Sequence, residues 1–500
     1  MNTPLATKTR WSVCPKHFRF LCASILVIGA GVGSPTITPT IAAERTPNVV
    51  LFLADDLGWT DLACYGSDFY ETPHLDALAR QGMKFLQNYS ACTVCSPTRA
   101  ALMTGKYPAR LHITDWIPGA MPDNPKMLVP DWTKYLPHRE VTIAEVYKKA
   151  GYATASIGKW HLGTENYYPE TQGFDRNVAG SDKPEPPSFH APWRIPTLTE
   201  GAEGEYLTDR LAMEAVRFIE KSAGRPFFLY LPHFAVHTPI QGRADLVAKY
   251  RAKLTPEHRH RNVQYAAMIE SLDAAVGQVV AKLDELKLAD DTIVIFTSDN
   301  GGRITQETTT NVPLRYGKAS AYEGGVRVPL IVRWPPVIKP GRQSSTPVIT
   351  MDLFSTLVEI VGSPQLESRS ATGPSGCDGV SLVPIFKGTD KLDRNELFWH
   401  YPHHQHYQLG GTMPYAAIRS GDFKLIEFMN DQRVELFNIR NDISEKDDLA
   451  ARMPERTEEL RRRLHDWQLE VAAQLPTPNP NFDPTRPEYT PRPRPPKKEQ

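Results

Sequence analysis

The chain has 500 residues, 41% of them apolar, and its 57 Lys+Arg balance 57 Asp+Glu to a formal net charge of zero. That balance excludes a polyelectrolyte partner: there is no basic excess for nucleic acid or for a strongly anionic membrane surface. The length accommodates one large domain plus an appendage, with enough apolar residues for a sizeable core, and no internal repeat is present.

At the N-terminus, Lys8, Arg10, Lys16, His17 and Arg19 flank an apolar run from Phe20 to Gly33, followed by small residues at Ala42-Ala43. This is the layout of a secretory signal peptide spanning residues 1–43, and it predicts an exported protein, periplasmic or secreted. The run is short for a membrane span, so stable membrane insertion is not expected, with an uncleaved anchor as the alternative. Gly29, Gly31 and Gly33 lie inside this segment and form no nucleotide loop; Cys22 follows no convincing lipobox. Cleavage would leave Cys64, Cys92, Cys95 and Cys377, too few for a disulfide scaffold. A Cys64–Cys377 pair is neither indicated nor excluded.

Val49 to Leu53 is a continuous apolar run, as in a strand buried on both faces. It ends in Asp55-Asp56. Ligands gather at the carboxyl ends of strands in open α/β sheets, and paired carboxylates there suit a hard divalent cation. A solvated turn closing the strand is the plainer reading. His74 to Gly82 has helical spacing, with Leu75, Leu78 and Ala79 inward and Gly82 as its C-cap. Asn88-Tyr89-Ser90 is a glycosylation sequon, informative only for a eukaryotic secretory route.

Cys95-Ser96-Pro97-Thr98-Arg99 opens a helix that Ala100-Ala101-Leu102-Met103 propagate. Cys95 therefore sits at a helix N-terminus, where the dipole and free N–H groups favour an anion, and Arg99 projects one turn on. Two other readings compete: Cys92-x-x-Cys95 as a redox pair or half a zinc site, and Cys95 as a buried structural cysteine.

Val141 to Gly151 reads as a helix with Ile143, Val146, Tyr147 and Ala150 on one face. Tyr152 to Ile157 reads as a strand, running into Gly158-Lys159-Trp160-His161-Leu162-Gly163. On extended backbone Lys159 and His161 point to one side and Trp160 to the other. Two cationic groups beside glycines suit an oxyanion site; a surface lysine and a satisfied histidine are the bland alternative.

Residues 181–204 are rich in Pro and polar residues and read as a long surface loop of the kind that carries function. Tyr206 to Ala223 returns to helical spacing. Pro226 to Leu231 is a buried-type strand followed by His233 and by His237-Thr238-Pro239, in which His237 occupies a rigid, non-helical turn; His233 better fits a packed position. Asn262 to Leu288 is the longest helical pattern. Thr292 to Thr297 is another buried strand, ending in Ser298-Asp299-Asn300-Gly301-Gly302, where Asp299 and Asn300 would complete an oxygen cage with Asp55 and Asp56. Lys318 follows within Leu314 to Pro329, a block in which Glu323 and Arg327 read as a structural pair. Leu330 to Trp334 is a strand and Asp352 to Val361 a helix.

Beyond residue 390, Glu396–Tyr401, Tyr415–Arg419, Phe423–Phe428 and Val434–Asn438 are short strands of an antiparallel meander. Pro454 to Ala473 is a helix with Leu460, Leu464, Trp467 and Val471 on one face. From Pro476, nine prolines in 25 residues predict an extended or disordered tail. The expected organisation is therefore 1–43 signal peptide, 44–390 main α/β domain, 391–475 smaller α+β subdomain and 476–500 tail. The cluster His400, His403, His404 and His406 raises zinc, but its spacing matches no ligand pattern; a loop reaching over the main cleft is preferred, with surface histidines as the bland alternative.

Five of these motifs, in this order, resemble the type I, formylglycine-dependent sulfatases, and the overall look resembles bacterial polysaccharide sulfatases. They are Asp55-Asp56-Leu57-Gly58-Trp59, Cys95-x-Pro97-x-Arg99 with its Ala-Ala-Leu-Met-Thr-Gly extension, Gly158 to Gly163, His237-x-Pro239, and Gly317-Lys318 with Glu323-Gly324-Gly325-x-Arg327. The Asp378 to Leu382 stretch resembles the usual close of the main domain. The resemblance implies an alkaline-phosphatase-like α/β fold: a large, mostly parallel mixed sheet sandwiched by helices, with a smaller antiparallel sheet plus helix. It implies hydrolysis of a sulfate ester, on a sulfated carbohydrate such as a galactose or N-acetylgalactosamine unit.

The resemblance also implies roles. A maturation enzyme converts Cys95 to Cα-formylglycine (3-oxoalanine), whose hydrate is the nucleophile. Asp55, Asp56, Cys95, Asp299 and Asn300 hold a divalent cation, Ca²⁺ with Mg²⁺ as the alternative. Asp299 is the base for the attacking hydroxyl; Arg99, Lys159 and Lys318 neutralise charge; His237 protonates the leaving alcohol; His161 takes the proton that releases sulfate. Lys159, His237, Lys318, His400 and His403 contact substrate, the sugar being held by residues 181–190 and 400–407. A phosphonate or phosphate monoester hydrolase, and an unmodified sulfated-glycan binder, are the alternatives.

Overall fold

The computed structural model describes residues 46–362, 376–405 and 413–488. The expected signal peptide and His406 lie outside them. An eight-stranded sheet forms the centre, built from β1 (Asn48–Ala54), β2 (Met83–Phe85), β3 (Ala153–Ile157), β4 (Arg176–Val178), β5 (Phe227–Pro232), β6 (Thr292–Ser298), β7 (Leu330–Arg333) and β8 (Arg342–Ser344). Its order is β8-β2-β7-β6-β1-β5-β3-β4, and β7 is the strand that runs antiparallel to its neighbours. β1 is central: Leu51 pairs in parallel register with Tyr230 of β5 and Ile295 of β6.

Strand β1 explains the layering. Alternate side chains point to opposite faces, and both faces are buried. Val50, Phe52 and Ala54 join a core with α1 (Pro73–Gln81), α4 (Leu207–Ser222) and α5 (Val263–Glu285). Val49, Leu51 and Leu53 join another with α2 (Cys95–Thr104), α3 (Ile143–Lys149) and α6 (Met351–Ile360). The mostly parallel sheet between helix layers matches the expected fold class.

Local chemistry sets the helix ends. Thr142 and Glu145 form a reciprocal capping box at the start of α3. Gly82 follows α1, but at φ −131°, so left-handed backbone is not why glycine stands there; a Cβ would lie 2.3 Å from the Val332 carbonyl oxygen of β7. Close strand approach is the reason.

The C-terminal meander forms as expected, from β9 (Glu396–Tyr401), β10 (Tyr415–Ser420), β11 (Phe423–Phe428) and β12 (Val434–Asn438), paired in sequence order. It shares a third core with α7 (Pro454–Glu470), through Leu460, Leu464 and Trp467, and with residues preceding α2. Glu323 and Arg327 pair at 3.4 Å.

The 181–204 loop differs from the expected surface loop. Phe189 and Trp193 are fully buried, and Ile195 and Leu198 nearly so, which pins a segment without regular structure. The described part of the tail takes the extended alternative. Thr477-Pro478 pairs with Met127-Leu128, and Asn124 Nδ2 donates to the carbonyls of Asp483 and Arg486. Prolines leave carbonyls unpaired, and Asn124 supplies donors to that backbone; residues 489–500 lie outside the described set.

Candidate active site

Helix α2 carries the centre, and all ten of its residues are buried. Cys95 is its first residue. Pro97 stands third, where no N–H partner is required. The intervening residues fix neighbouring loops. Ser96 Oγ donates to the His161 carbonyl (2.9 Å) and accepts from the Ile117 amide (3.1 Å). Thr98 Oγ1 accepts from the Cys92 amide at 3.0 Å. Cys92 and Cys95 are both free thiols, as are Cys64 and Cys377.

Arg99 turns inward. Its Nε and Nη2 donate to Asp299 Oδ2 at 3.0 and 2.8 Å, and Nη1 donates to the Lys159 carbonyl at 2.9 Å. It therefore anchors Asp299 and the Lys159 backbone. Asp299 Oδ1 in turn accepts from the Asp56 amide at 3.1 Å.

The strand ends converge as expected. Lys159 Nζ donates to Asp55 Oδ2 at 2.7 Å. Lys318 Nζ donates to Asp56 at 2.8 Å, and Asn300 Nδ2 donates to Asp56 Oδ1 at 2.8 Å. His161 has φ 61°, so the expected extended alternation does not hold around it; a left-handed kink turns its ring to Cys95 instead. Trp160 packs edge-on against Phe174. His161 Nδ1 lies 3.3 Å from Cys95 Sγ, and Nε2 meets the Ile117 carbonyl. A carbonyl only accepts, so Nε2 carries the proton and Nδ1 presents a lone pair to residue 95.

Charge and burial set the electrostatics. Burial, then Lys159, holds His161 well below the ordinary imidazole range, so it is neutral. Burial is the largest single influence and opposes ionisation of Asp55 and Asp56, but Lys159, His237 and Arg99 together around Asp55, and Lys318, His237 and Asn300 around Asp56, outweigh it and keep both carboxyls below the usual range. Asp299 is pushed up to about 6 by burial and by Asp55. Burial also raises the Cys95 thiol.

Asp55 Oδ1 and Asn300 Oδ1 are buried without a hydrogen-bond partner. Two orphaned oxygens beside Asp56 and Asp299 form an all-oxygen donor set that fits a hard divalent cation. Asp55, Asp56 and His237 also place ligand-capable atoms within 4.8 Å of one another. His237 Nε2 lies 3.0 Å from Lys318 Nζ, and Nδ1 lies 3.4 Å from Glu185 Oε2 and 3.0 Å from Thr238 Oγ1. His233 instead stacks on Phe52, buried, with both ring nitrogens unpartnered.

A cleft of about 250 Å³ opens over Cys95, with His237 and Lys318 in its wall and Trp116, Glu185, Arg303 and Gln405 around them. No motif marked those four, although Glu185 and Gln405 fall in the two loops expected to hold the sugar. His400 and His403 are corrections: neither lines this cleft. His400 is buried between β9 and α7, with Nε2 on the Gln474 carbonyl and Nδ1 on Gln468. His403 bonds Thr114 Oγ1 at 2.8 Å and packs edge-on against Trp132. His404 meets the Met127 carbonyl and Glu488. Each imidazole is committed separately, and among the described residues they form no zinc set.

The comparisons with known proteins agree. A family model described as Sulfatase matches residues 47–363, and one described as N-sulphoglucosamine sulphohydrolase, C-terminal, matches residues 315–474. A sulfatase of Formosa agariphila is 34% identical over 84% of this chain and 88% of its own length. Human steryl-sulfatase is 30% identical over 72% of this chain and 73% of its own. Among solved structures, Ps i-CgsB in complex with k-i-k-neocarrahexaose superposes with a TM-score of 0.71 at 30% identity, covering 85% of this chain and 94% of that one.

Proposed function

The chain belongs to the sulfatase family, and from that premise we propose that it releases inorganic sulfate from a sulfated carbohydrate, using Cys95 converted to Cα-formylglycine. The observation that carries this reading is the neutral His161, whose Nδ1 lone pair faces residue 95 at 3.3 Å inside a wall of Lys159 and Lys318. A thiol kept protonated by burial does not use that arrangement; a hydrated aldehyde, with a proton to give up, does.

Asp55, Asp56, Asp299 and Asn300, with residue 95, would hold the divalent cation, Ca²⁺ or alternatively Mg²⁺. When bound, the cation supplies Lewis-acid charge stabilisation at the sulfuryl oxygens. Lys159 and Lys318 present further positive charge to the same group. Asp299, weakened as an acid by burial, takes the proton of the attacking hydroxyl while Arg99 keeps its carboxylate oriented. His237 donates a proton to the leaving sugar oxygen, and Glu185 beside Nδ1 orients the ring. His161 then accepts the remaining hydroxyl proton at residue 95, sulfate departs and the aldehyde is restored. Residues 44–390 serve as the catalytic domain and 391–475 as its subdomain. The reading carries export and a formylglycine-generating maturation enzyme with it.

The sugar assignment is supported by the oligosaccharide-bound neighbour. Galactose and N-acetylgalactosamine sulfates are the units to test first. Sulfate release is measured on these, on a steroid sulfate and on an aryl sulfate, and phosphate release on an aryl phosphate, for wild type and His237→Ala. Sugar hydroxyls leave poorly, so His237→Ala should lower kcat by about 10²-fold or more on the sugar and far less on the aryl ester. Equal losses remove the general-acid role. Activity confined to steroid or aryl sulfates removes the carbohydrate substrate, and preference for aryl phosphate removes the sulfate ester.

A further inference from the structure

The cleft has two chemically distinct parts. The part around Cys95, Lys318 and His237 carries the lysine cation and takes the sulfuryl group. Two other side chains of its lining, Glu185 and Gln405, offer hydrogen-bond acceptors.

Gln405 is 3% exposed, and its amide orientation is fixed. Nε2 donates to Asp115 Oδ1 at 3.1 Å and to the Tyr401 hydroxyl, so the other end, Oε1, is the acceptor, and it is buried without a partner. A buried acceptor left unpaired costs free energy until a ligand donates to it. Glu185 sits in the 181–204 segment that Phe189 and Trp193 anchor in the core. Its Oε2 accepts from Thr238 Oγ1 at 2.5 Å and lies near His237 Nδ1, leaving Oε1 for a ligand. Arg303 also lines the cleft, and its Nε donates to Thr305 Oγ1 at 2.8 Å.

From this arrangement we propose that Glu185 and Gln405 form an acceptor subsite that selects a sulfate ester whose neighbouring substituent is a hydrogen-bond donor, a hydroxyl or amine, and rejects a second sulfate or a carboxylate there. The selection is double. A hydroxyl donates to one of these oxygens, and an amine, with more than one N–H, can donate to both. An anion has no proton to give and shares the cleft with the Glu185 carboxylate, whose like charge raises the free energy of the bound state against the opposing pull of Arg303. This rests on the carbohydrate sulfatase reading and sharpens it to the substitution pattern of the sugar.

The test uses the mature, formylglycine-bearing enzyme and two substrates with the same scissile ester: a monosulfated sugar with a free adjacent hydroxyl, and the same sugar with that hydroxyl sulfated. The readout is the ratio of kcat/KM between them. The leaving oxygen is common to both, so any change in proton donation by His237 cancels. Wild type should favour the monosulfated sugar by about tenfold or more. Glu185→Gln should narrow that ratio, and Glu185→Lys should narrow it further or reverse it, both variants melting as wild type does. Wild type turning over both sugars equally, or a ratio unmoved by both variants, overturns the subsite while leaving the sulfatase reading intact. Turnover of an aryl sulfate with neither sugar cleaved overturns the subsite and the carbohydrate reading together.

Discussion

A thiol at residue 95 is a poor nucleophile where it stands. Burial raises it, and the carboxylates of Asp55 and Asp299 oppose the help that Lys159 and Lys318 give. Cys95→Ala should therefore lower kcat by about 10⁴-fold or more with the fold retained, whereas Cys92→Ala should keep most activity. Turnover assays and the mass of the peptide carrying residue 95 check both statements; an active Cys95→Ala enzyme ends the assignment. Asp115 offers a test that leaves the chemistry alone. It is 1% exposed, and burial pushes its carboxyl to about 7 against donors from Tyr401 and the Trp116 amide. A raised folded-state value means the neutral form is favoured in the native protein. That contribution is present in full below about 4 and is lost as pH rises through about 7. At the limit it amounts to about 4 kcal/mol. Asp115→Asn should remove this slope, so the Tm of wild type minus that of the variant should be larger at pH 5 than at pH 8. A difference independent of pH would show an ordinary, low value for Asp115.

Among the elements, α2 and β11 bear the sharpest constraints. Helix α2 is buried on every side, so its single cation, Arg99, had to find partners within the protein, and Asp299 and the Lys159 carbonyl are those partners. Strand β11 ties the meander to the main domain through Lys424, whose Nζ lies 3.1 Å from Glu323 Oε1 and 3.0 Å from Glu445 Oε1, all three side chains fully buried. Glu445 Oε2 also accepts from the Glu323 amide at 2.7 Å. Lys424→Met would leave two buried carboxylates facing one another. Chemical denaturation should show a loss of about 3 kcal/mol or more. A double variant, Lys424→Met with Glu445→Gln, should recover part of that loss, because one of the stranded charges is gone. A neutral Lys424→Met would mean that the triad does not join the two sheets energetically.

For the molecule as a whole, a cation held by four strand-end side chains would couple metal binding to folding. Asp55 and Asp56 follow β1, and Asp299 and Asn300 follow β6. These donors converge only in the native sheet, so a bound cation stabilises the folded state over the unfolded one. Chelation should lower Tm and abolish activity together, and added Ca²⁺ or Mg²⁺ should restore both. Asp55→Ala or Asn300→Ala should weaken that thermal shift. Stoichiometric zinc in active enzyme, or a Tm indifferent to chelator, would contradict the oxygen cage.

The sequence by itself determined the elements that are long and strongly patterned. Burial on both faces wrote β1, β5 and β6 as apolar runs, and 3.6-residue spacing wrote α4, α5 and α7, each within a few residues of its observed ends. It also marked the candidate site, because strand ends and one helix start are local features and carry Asp55, Asp56, Asp299 and Cys95. Only the tertiary structure decided the rest. The three-residue strands β2, β4 and β8 exist because a neighbour pairs with them; three residues carry too little periodicity to announce a strand. His161 reaches Cys95 through a left-handed backbone that its neighbours impose, where local preference predicted an extended one. His400 and His403 looked like cleft residues because histidines in a loop are usually exposed; packing against α7 and Trp132 buried them and left Gln405 at the cleft. Glu185 carried no motif at all, since its position depends on Phe189 and Trp193 being drawn into a core that forms only when distant segments meet.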